Sequence, residues 1–240
     1  MNDSNAAAIP LNYETPPRPV EAPVRARWIL PLLVIASTTA AAVMYFRGMA
    51  SVLEAISFVT GAIAVWLTVR ESAWNFPIGL LNVATFSVVF FVARLYADAG
   101  LQIVYVILTL MGWYLWLFGG QRHTALRVSR VSVTELVIVI ISGIAVTIGL
   151  WRLVTFAGGV SPFWDATTTA LSLCAQWLLN RKRLENWFFW IAADLIYVPL
   201  YAYKGLYLTS ILYATFLLMC VIGIWQWRAT LQAQRAAGAP

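Results

Sequence analysis

The sequence contains few of the residues that build soluble active sites or nucleic-acid interfaces. Only 11% of its 240 residues are charged, whereas soluble domains carry roughly 25%. The single histidine, His123, is accompanied by no metal-ligand spacing and no nucleophile motif. The net charge of +6 comes from basic residues that stand singly or in short groups, so they form no stripe for nucleic acid. We therefore expect no enzyme, no metal, no cofactor and no nucleic-acid partner.

Cysteine is equally scarce, and the first residues do not resemble a signal peptide. Cys174 and Cys220 both fall within apolar stretches, which favours two buried thiols over a disulfide. The first 27 residues are polar and proline-rich, without a short apolar core followed by a small-residue cleavage site. We interpret residues 1–27 as a disordered tail.

Apolar residues dominate what remains. They make up 61% of the chain, aromatic residues make up 14%, and the mean hydropathy is +0.77. A membrane-spanning helix needs about 20 mostly apolar residues. Eight segments meet this description: 28–46, 52–69, 74–93, 101–118, 133–151, 163–180, 187–203 and 206–227. The sequence therefore predicts an all-α membrane protein of about eight transmembrane helices that contacts membrane lipids.

The basic residues predict how these helices are oriented. With the N-terminus in the cytoplasm, 12 of the 16 Lys and Arg residues fall on the cytoplasmic side. This bias follows the positive-inside rule, and it weakens if segment 28–46 does not span the membrane. Both tails are therefore predicted to be cytoplasmic, and the basic run 181–183 is interpreted as an orientation signal, with anionic lipid as its alternative ligand.

The chain also repeats itself. A shift of 111 residues aligns two stretches of about fifty residues each, matching the following pairs: Trp66 with Trp177, Arg70 with Arg181, Asn75 with Asn186, Gly112 with Gly223 and Trp116 with Trp227. Each copy holds three helices, and the single helix between them gives both copies the same orientation in the membrane. The predicted divisions are a tail at 1–27, an extra helix at 28–47, a bundle at 51–118, a loop and connecting helix at 119–152, a second bundle at 162–228 and a cytoplasmic tail at 229–240. Substrate sites in parallel repeats of this kind lie between the two copies.

The strongest candidate site lies on the seventh helix. Trp187, Trp190 and Asp194 share one helical face, and Asn186 precedes them. Two indoles and a carboxylate can hold a flat, cationic ligand through stacking, cation–π attraction and charge. The alternative is an interfacial tryptophan pair with a structural Asp194 bonded to a neighbouring helix. An intramembrane acid without an obvious basic partner favours the ligand.

Other polar residues within the apolar segments are secondary candidates. Asn82, near the position equivalent to Asp194, fits either a hydrogen bond to ribose or a contact between helices. Gln102 and Tyr105 share a face of the fourth helix, and Thr209 and Tyr213 occupy comparable places on the eighth. Four tryptophans near the ends of these two helices are predicted to form an aromatic belt at the membrane surface: Trp113, Trp116, Trp225 and Trp227.

Two stretches of the sequence resemble the PnuC family of bacterial vitamin transporters. The first is WNFPIGLLNVATFSVVFFVARLYADAGLQIVYVILTLMGWYLW at 74–116, and the second contains PFWDA, NRKRLENWFFWIAAD and YKGLYLTSILY within 162–227. The most specific part of the resemblance is the pattern ENWxxWxxxD, which ends at Asp194. With the helix between them, these stretches cover about 180 of the 240 residues.

The resemblance implies a three-one-three helix fold, similar to SWEET proteins, in the cell inner membrane. It implies uptake of nicotinamide riboside by facilitated diffusion through alternating access, drawn inward by a cytoplasmic riboside kinase. The family's aromatic and acidic pattern corresponds to Trp187, Trp190 and Asp194. Similar proteins carry thiamine, riboflavin or deoxynucleosides, and these stay open as alternative substrates. A homo-oligomer is compatible with this architecture.

Overall fold

The computed structural model describes residues 24–48, 51–92, 96–158, 161–203 and 207–237, so most of the predicted N-terminal tail lies outside it. The described residues form eight α-helices: α1 Val24–Phe46, α2 Val52–Val69, α3 Asn75–Val92, α4 Tyr96–Phe118, α5 Val133–Phe156, α6 Pro162–Asn180, α7 Asn186–Tyr203 and α8 Tyr207–Ala236. A 3-10 turn, Gln121–His123, follows α4. Each predicted apolar segment corresponds to one helix, which confirms the all-α fold.

Helix length and composition identify the membrane-spanning character directly. Within the described residues, four stretches are long and apolar enough to cross a membrane: Trp28–Phe46, Leu101–Phe118, Val133–Phe156 and Ser210–Ala236. Shorter apolar stretches lie in α2 and α3. In α6, apolar residues alternate with polar residues that face the protein interior, including Thr168, Ser172 and Asn180, all less than 5% exposed. Burial of these polar groups explains why α6 is less apolar than a lone spanning helix would be.

The helices are arranged as two three-helix bundles. In the first bundle α3 packs against α2 and α4, in the second α7 packs against α6 and α8, and α5 packs against α6. The extra helix α1 packs against α2 and α8, outside both bundles. The C-terminal ends of α2, α4, α6 and α8 lie together, close to the Arg- and Lys-containing turns. We call this end of the molecule the basic end.

Two equivalent tryptophans join the bundles near the basic end. Nε1 of Trp116 in α4 donates a hydrogen bond to the Leu179 carbonyl of α6 at 3.0 Å. Nε1 of Trp227 in α8 donates to the Thr68 carbonyl of α2 at 3.2 Å. Both donors and both acceptors are related by the 111-residue shift, so the bundles exchange the same hydrogen bond in both directions. This reciprocity shows that the internal repeat is structural.

Two glycines allow the helices to approach closely at equivalent positions. A Cβ atom on Gly223 would lie 2.7 Å from Cε2 of Trp187, and a Cβ on Gly112 would meet Cε1 of Phe76 at 2.5 Å. Phe76 packs edge-on against Trp116 at a centroid distance of 5.1 Å, and Trp187 packs the same way against Trp227 at 5.3 Å. This pairing of glycine with an aromatic ring, repeated in both bundles, fixes the spacing of α3 with α4 and of α7 with α8.

The predicted aromatic belt is wrong for two of its four members. Trp116 and Trp227 are 2% and 0% exposed, and their ring centroids lie 6.0 Å apart in the core. Trp225 is 67% exposed, as a belt residue would be. A position near a helix end does not predict whether a tryptophan is exposed or buried. Trp225 and Trp227 are only two residues apart, but residues at this spacing face different directions on a helix.

The eighth helix is longer than predicted. It continues past residue 228 to Ala236, so most of the predicted C-terminal tail is helical. Thr230 and Leu231 in this extension are 7% and 8% exposed. Burial against the rest of the basic end stabilises the additional turns, and the extension contains no proline or glycine to end the helix.

Candidate functional site

Asp194 is the acidic residue of the predicted site, and it is buried. It lies eight residues after the start of α7 and is 3% exposed. Its Oδ2 accepts a hydrogen bond from Sγ of Cys220 in α8 at 3.7 Å. Among the described side chains, the ion pairs join basic residues to Glu71 and Glu135, and none includes Asp194. A buried carboxylate without a cation is costly, so a cationic ligand would be favoured here.

Tyrosine rings lie along the same face of α7 and against α8. Tyr197 and Tyr201 follow Asp194 by three and seven residues. The ring centroid of Tyr213 lies 4.4 Å from that of Tyr197 and 5.2 Å from that of Tyr201, with Phe216 5.6 Å further along α8. We call these four rings the aromatic cluster. Sequence reasoning identified Tyr213 but missed Tyr197 and Tyr201, although their spacing from Asp194 was the available signal.

The fourth helix contributes to the site from the first bundle. Tyr105 interacts with Ser172 of α6, and Ser172 also interacts with Tyr197. Gln102, one turn before Tyr105 on the same face, is 9% exposed. Gln102 and Tyr105 are equivalent by the repeat to Tyr213 and Phe216. The structure therefore brings Asp194, Tyr105 and Tyr213 into one region, with Gln102 beside them.

Asn82 forms its hydrogen bonds within the first bundle. Its Nδ2 donates hydrogen bonds to the Ser57 carbonyl at 2.6 Å and to Oγ1 of Thr60 at 3.1 Å, both in α2. A Cβ atom on Gly61 would lie 3.5 Å from Asn82 Nδ2 and 3.2 Å from Cζ of Phe216. Asn82 thus lies near the contact between α2 and α8, at the edge of the aromatic cluster.

The residues at the start of α7 lie deeper in the core. Trp187 is 1% exposed, packs against Trp227, and has no acceptor for its Nε1 within the described residues. Asn186 is fully buried, and its Nδ2 donates to the Arg183 carbonyl at 2.6 Å. Trp190 is half-buried and packs against the edge of the core. Trp187 and Asn186 therefore lie about two turns from Asp194, toward the basic end.

Thr209 lies in α8, and its side chain falls outside the described part of the structure. His123 is exposed in the 3-10 turn, away from Asp194. Within the described residues, no group of three or more His, Cys, Asp or Glu side chains is placed to share a metal ion.

Comparison with known proteins identifies the family of this chain. The family model described as "Nicotinamide mononucleotide transporter" matches residues 51–229. The nicotinamide riboside transporter PnuC of Escherichia coli is 27% identical over 201 residues, covering 73% of this chain and 84% of that protein. The riboflavin/roseoflavin transporter RibM of Streptomyces davaonensis is 26% identical over 178 residues, covering 72% and 83%.

A solved structure shares the fold. The crystal structure of the vitamin B3 transporter PnuC superposes with a TM-score of 0.70 at 21% identity, covering 86% of this chain and 93% of that one. The matched region 51–229 contains both bundles and the connecting helix, and it begins after α1. The chain therefore belongs to the nicotinamide mononucleotide transporter family and is related to the PnuC transporters.

Proposed function

We propose that this protein carries nicotinamide riboside into the cell by facilitated diffusion. The observation that carries the proposal is Asp194, a buried carboxylate beside stacked tyrosine rings and without a basic partner among the described side chains. Nicotinamide riboside has a flat, positively charged ring and a ribose with several hydroxyl groups. The rings of the aromatic cluster would stack on the cation, and Asp194 would offset its charge.

The same residues favour the riboside over the mononucleotide. A phosphate group adds nearly two negative charges at neutral pH. Next to Asp194 these charges would be repelled by the carboxylate. The basic residues of the described ion pairs lie near Glu71 or Glu135 and would not offset them. The names of the PnuC relatives, which specify the riboside, agree with this electrostatic preference.

We further propose an individual role for each residue of the site. We assign Asp194, Trp190 and Tyr213 to the nicotinamide ring, and Gln102, Tyr105 and Thr209 to the hydroxyl and amide groups. Three candidates have packing or hydrogen-bond partners within the protein and would support the site without contacting the ligand: Asn82, Asn186 and Trp187. The proposed site thus draws on both bundles but is asymmetric between them.

The repeat supports an alternating-access mechanism. Two bundles of equal orientation can rock against each other and so expose a site between them to either side of the membrane. By the positive-inside rule, the basic end and both termini face the cytoplasm, with the protein in the inner membrane. A cytoplasmic kinase that phosphorylates the riboside would prevent its return and keep the inward gradient. No chemical step is assigned to the protein itself.

A second substrate class has one observation in its favour. RibM, named for riboflavin and roseoflavin, is nearly as similar to this chain as the E. coli riboside transporter. Riboflavin is flat but uncharged, so it would use the aromatic cluster without needing Asp194. Thiamine carries a cationic thiazolium ring and would need both.

Isothermal titration of the purified protein separates these substrates. We expect nicotinamide riboside to bind at least tenfold more tightly than its mononucleotide, thiamine or riboflavin. Tighter binding of thiamine or riboflavin would replace the proposed substrate with that vitamin. Recovery of unaltered riboside after incubation would agree with a transporter, and its conversion would indicate an enzyme.

A further inference from the structure

An ion pair joins the two bundles at the basic end. Nζ of Lys182 lies 3.8 Å from Oε2 of Glu71, and the two side chains are 9% and 13% exposed. Glu71 Oε1 accepts a hydrogen bond from Oγ1 of Thr230 in α8 at 2.7 Å. Lys182 Nζ also lies 4.4 Å from the ring centroid of Trp116 in α4. One ion pair therefore connects the ends of α2, α4, α6 and α8.

The two charged residues occupy equivalent positions in the repeat. Lys182 follows Glu71 by 111 residues, and both have left-handed backbone conformations, with φ of 49° and 56°. The turns around them repeat as well: the Glu71 amide donates to Thr68, and the Lys182 amide donates to Leu179. Equal charges at these positions would repel each other across the axis between the bundles. The opposite charges make an otherwise symmetric contact attractive.

The other ion pairs of the described residues do not connect the bundles. Arg183 lies 2.9 Å from Glu135 of α5, and Arg181 lies 3.7 Å from the same carboxylate. These pairs join the connecting helix to the turn between α6 and α7. Within the described residues, Glu71–Lys182 is therefore the ion pair that spans the gap between the two repeats.

As seen from Asp194, the pair lies at the basic end beyond Trp227 and Trp116, which contact each other, and Trp116 contacts Lys182. Asp194 lies 12 residues after Lys182 in the sequence. Along the axis of α7, it lies about 12 Å from the start of the helix at Asn186. A ligand moving from Asp194 to the basic end between the bundles would meet Trp116 and Trp227, and then Glu71–Lys182. A buried ion pair adds little net stability, because both ions recover hydration when they separate. Such a contact can break and reform at low cost.

We propose that Glu71 and Lys182 form a reversible latch that closes the basic end and separates each time substrate is released there. This inference rests on the proposed transport function. A latch differs from a permanent structural contact in one respect: fixing it covalently stops transport, whereas fixing a permanent contact changes nothing.

A reducible cross-link tests this difference. In the double variant Glu71→Cys/Lys182→Cys, a short bifunctional thiosulfonate reagent would join the two positions across the bundles. We expect riboside exchange in liposomes to fall at least tenfold after cross-linking and to return on reduction, while riboside binding to the detergent-solubilised protein persists. Because reduction restores the same molecules, misfolding does not explain the loss.

A matched pair controls for cross-linking itself. Glu135→Cys/Arg183→Cys replaces an ion pair at the same end that does not join the bundles, and its cross-linked form should keep exchanging riboside. The wild type with its native Cys174 and Cys220 controls for the reagent. Undiminished exchange in the cross-linked 71/182 variant would overturn the latch. Absence of riboside binding and exchange in the untreated wild type would instead overturn the proposed function.

Discussion

Trp116 and Trp227 hold the two repeats together through reciprocal hydrogen bonds, each from an indole of one bundle to a helix-end carbonyl of the other. The donor–acceptor distances are 3.0 Å and 3.2 Å, and both indoles are almost fully buried. The acceptors, Leu179 and Thr68, are themselves equivalent in the repeat. We therefore expect the two hydrogen bonds to contribute similarly to the contact between the bundles. The contact joins the two bundles symmetrically near the basic end.

Removing either indole donor should weaken this contact to a similar extent. Trp116→Phe and Trp227→Phe keep most of the aromatic packing but remove one of the two hydrogen bonds to a helix-end carbonyl, which keeps its backbone amide donor. We expect each to lower the free energy of unfolding by about 1 kcal/mol, the usual net value of such a bond. Thermal unfolding in detergent measures this, with exposed Trp225→Phe as the control. Losses that differ severalfold between the two variants would contradict a symmetric contact.

The glycine of the α7–α8 contact should not accept a methyl group. Gly223→Ala would place a Cβ atom 2.7 Å from the Trp187 ring, which is held against Trp227. We expect a destabilisation of about 1–3 kcal/mol, as in other overpacked interiors. Gly149→Ala in α5, where nothing lies within 4 Å of the new Cβ, is the matched control. A melting temperature equal to that of the control would show that α7 and α8 are not packed this tightly.

The structure explains which features the sequence could predict. The helices and the repeat were predicted because long apolar runs and identical tryptophans leave a direct signal. The Glu71–Lys182 pair was missed because a search for repeats scores similarity, and these equivalent residues have opposite charges. Their contact depends on the backbone turn that both repeats share, and only the folded structure brings the two turns together.

The predicted site was harder to define, because helical spacing shows which residues share a face but not how deeply each side chain is buried. Trp187 and Asp194 share a face of α7, yet Trp187 is covered by Gly223 and Trp227 of α8. Tyr197 and Tyr201 were overlooked because tyrosine in an apolar segment is common near membrane surfaces. Their stacking on Tyr213 depends on how α7 and α8 pack.

Substitution in the proposed site should weaken substrate binding. We expect Trp190→Ala and Asp194→Ala each to reduce riboside affinity by at least about 1 kcal/mol, or roughly fivefold, because cation–π and charge contacts are lost. Titration calorimetry on folded protein measures this. Trp225→Ala, a substitution at an exposed tryptophan, should keep the wild-type affinity. Wild-type affinity in both site variants would contradict the site assignment.

The latch should leave a pH signature in stability. Burial lowers the pKa of Lys182, and the Glu71 carboxylate offsets part of this shift. The folded protein thus holds the proton less tightly than the unfolded chain, so charging Lys182 disfavours folding at neutral pH. This penalty is relieved as the pH rises from the folded-state pKa toward the ordinary lysine pKa of about 10.4.

Comparison with a variant that lacks both charges isolates this effect. We expect the Tm of the wild type, relative to that of Glu71→Gln/Lys182→Met, to increase over the alkaline range. Groups common to both proteins cancel in the difference. A difference that stays constant or falls with rising pH would show that Lys182 is not buried as described.

Counterflow in liposomes tests the proposed transport most directly. Vesicles containing the purified protein are loaded with unlabelled nicotinamide riboside, and labelled riboside is added outside. We expect labelled riboside to accumulate with the wild type, to accumulate far less with Asp194→Ala, and to accumulate normally with Trp225→Ala. Accumulation of labelled riboflavin or thiamine without accumulation of riboside would contradict the assignment of this protein as a nicotinamide riboside transporter.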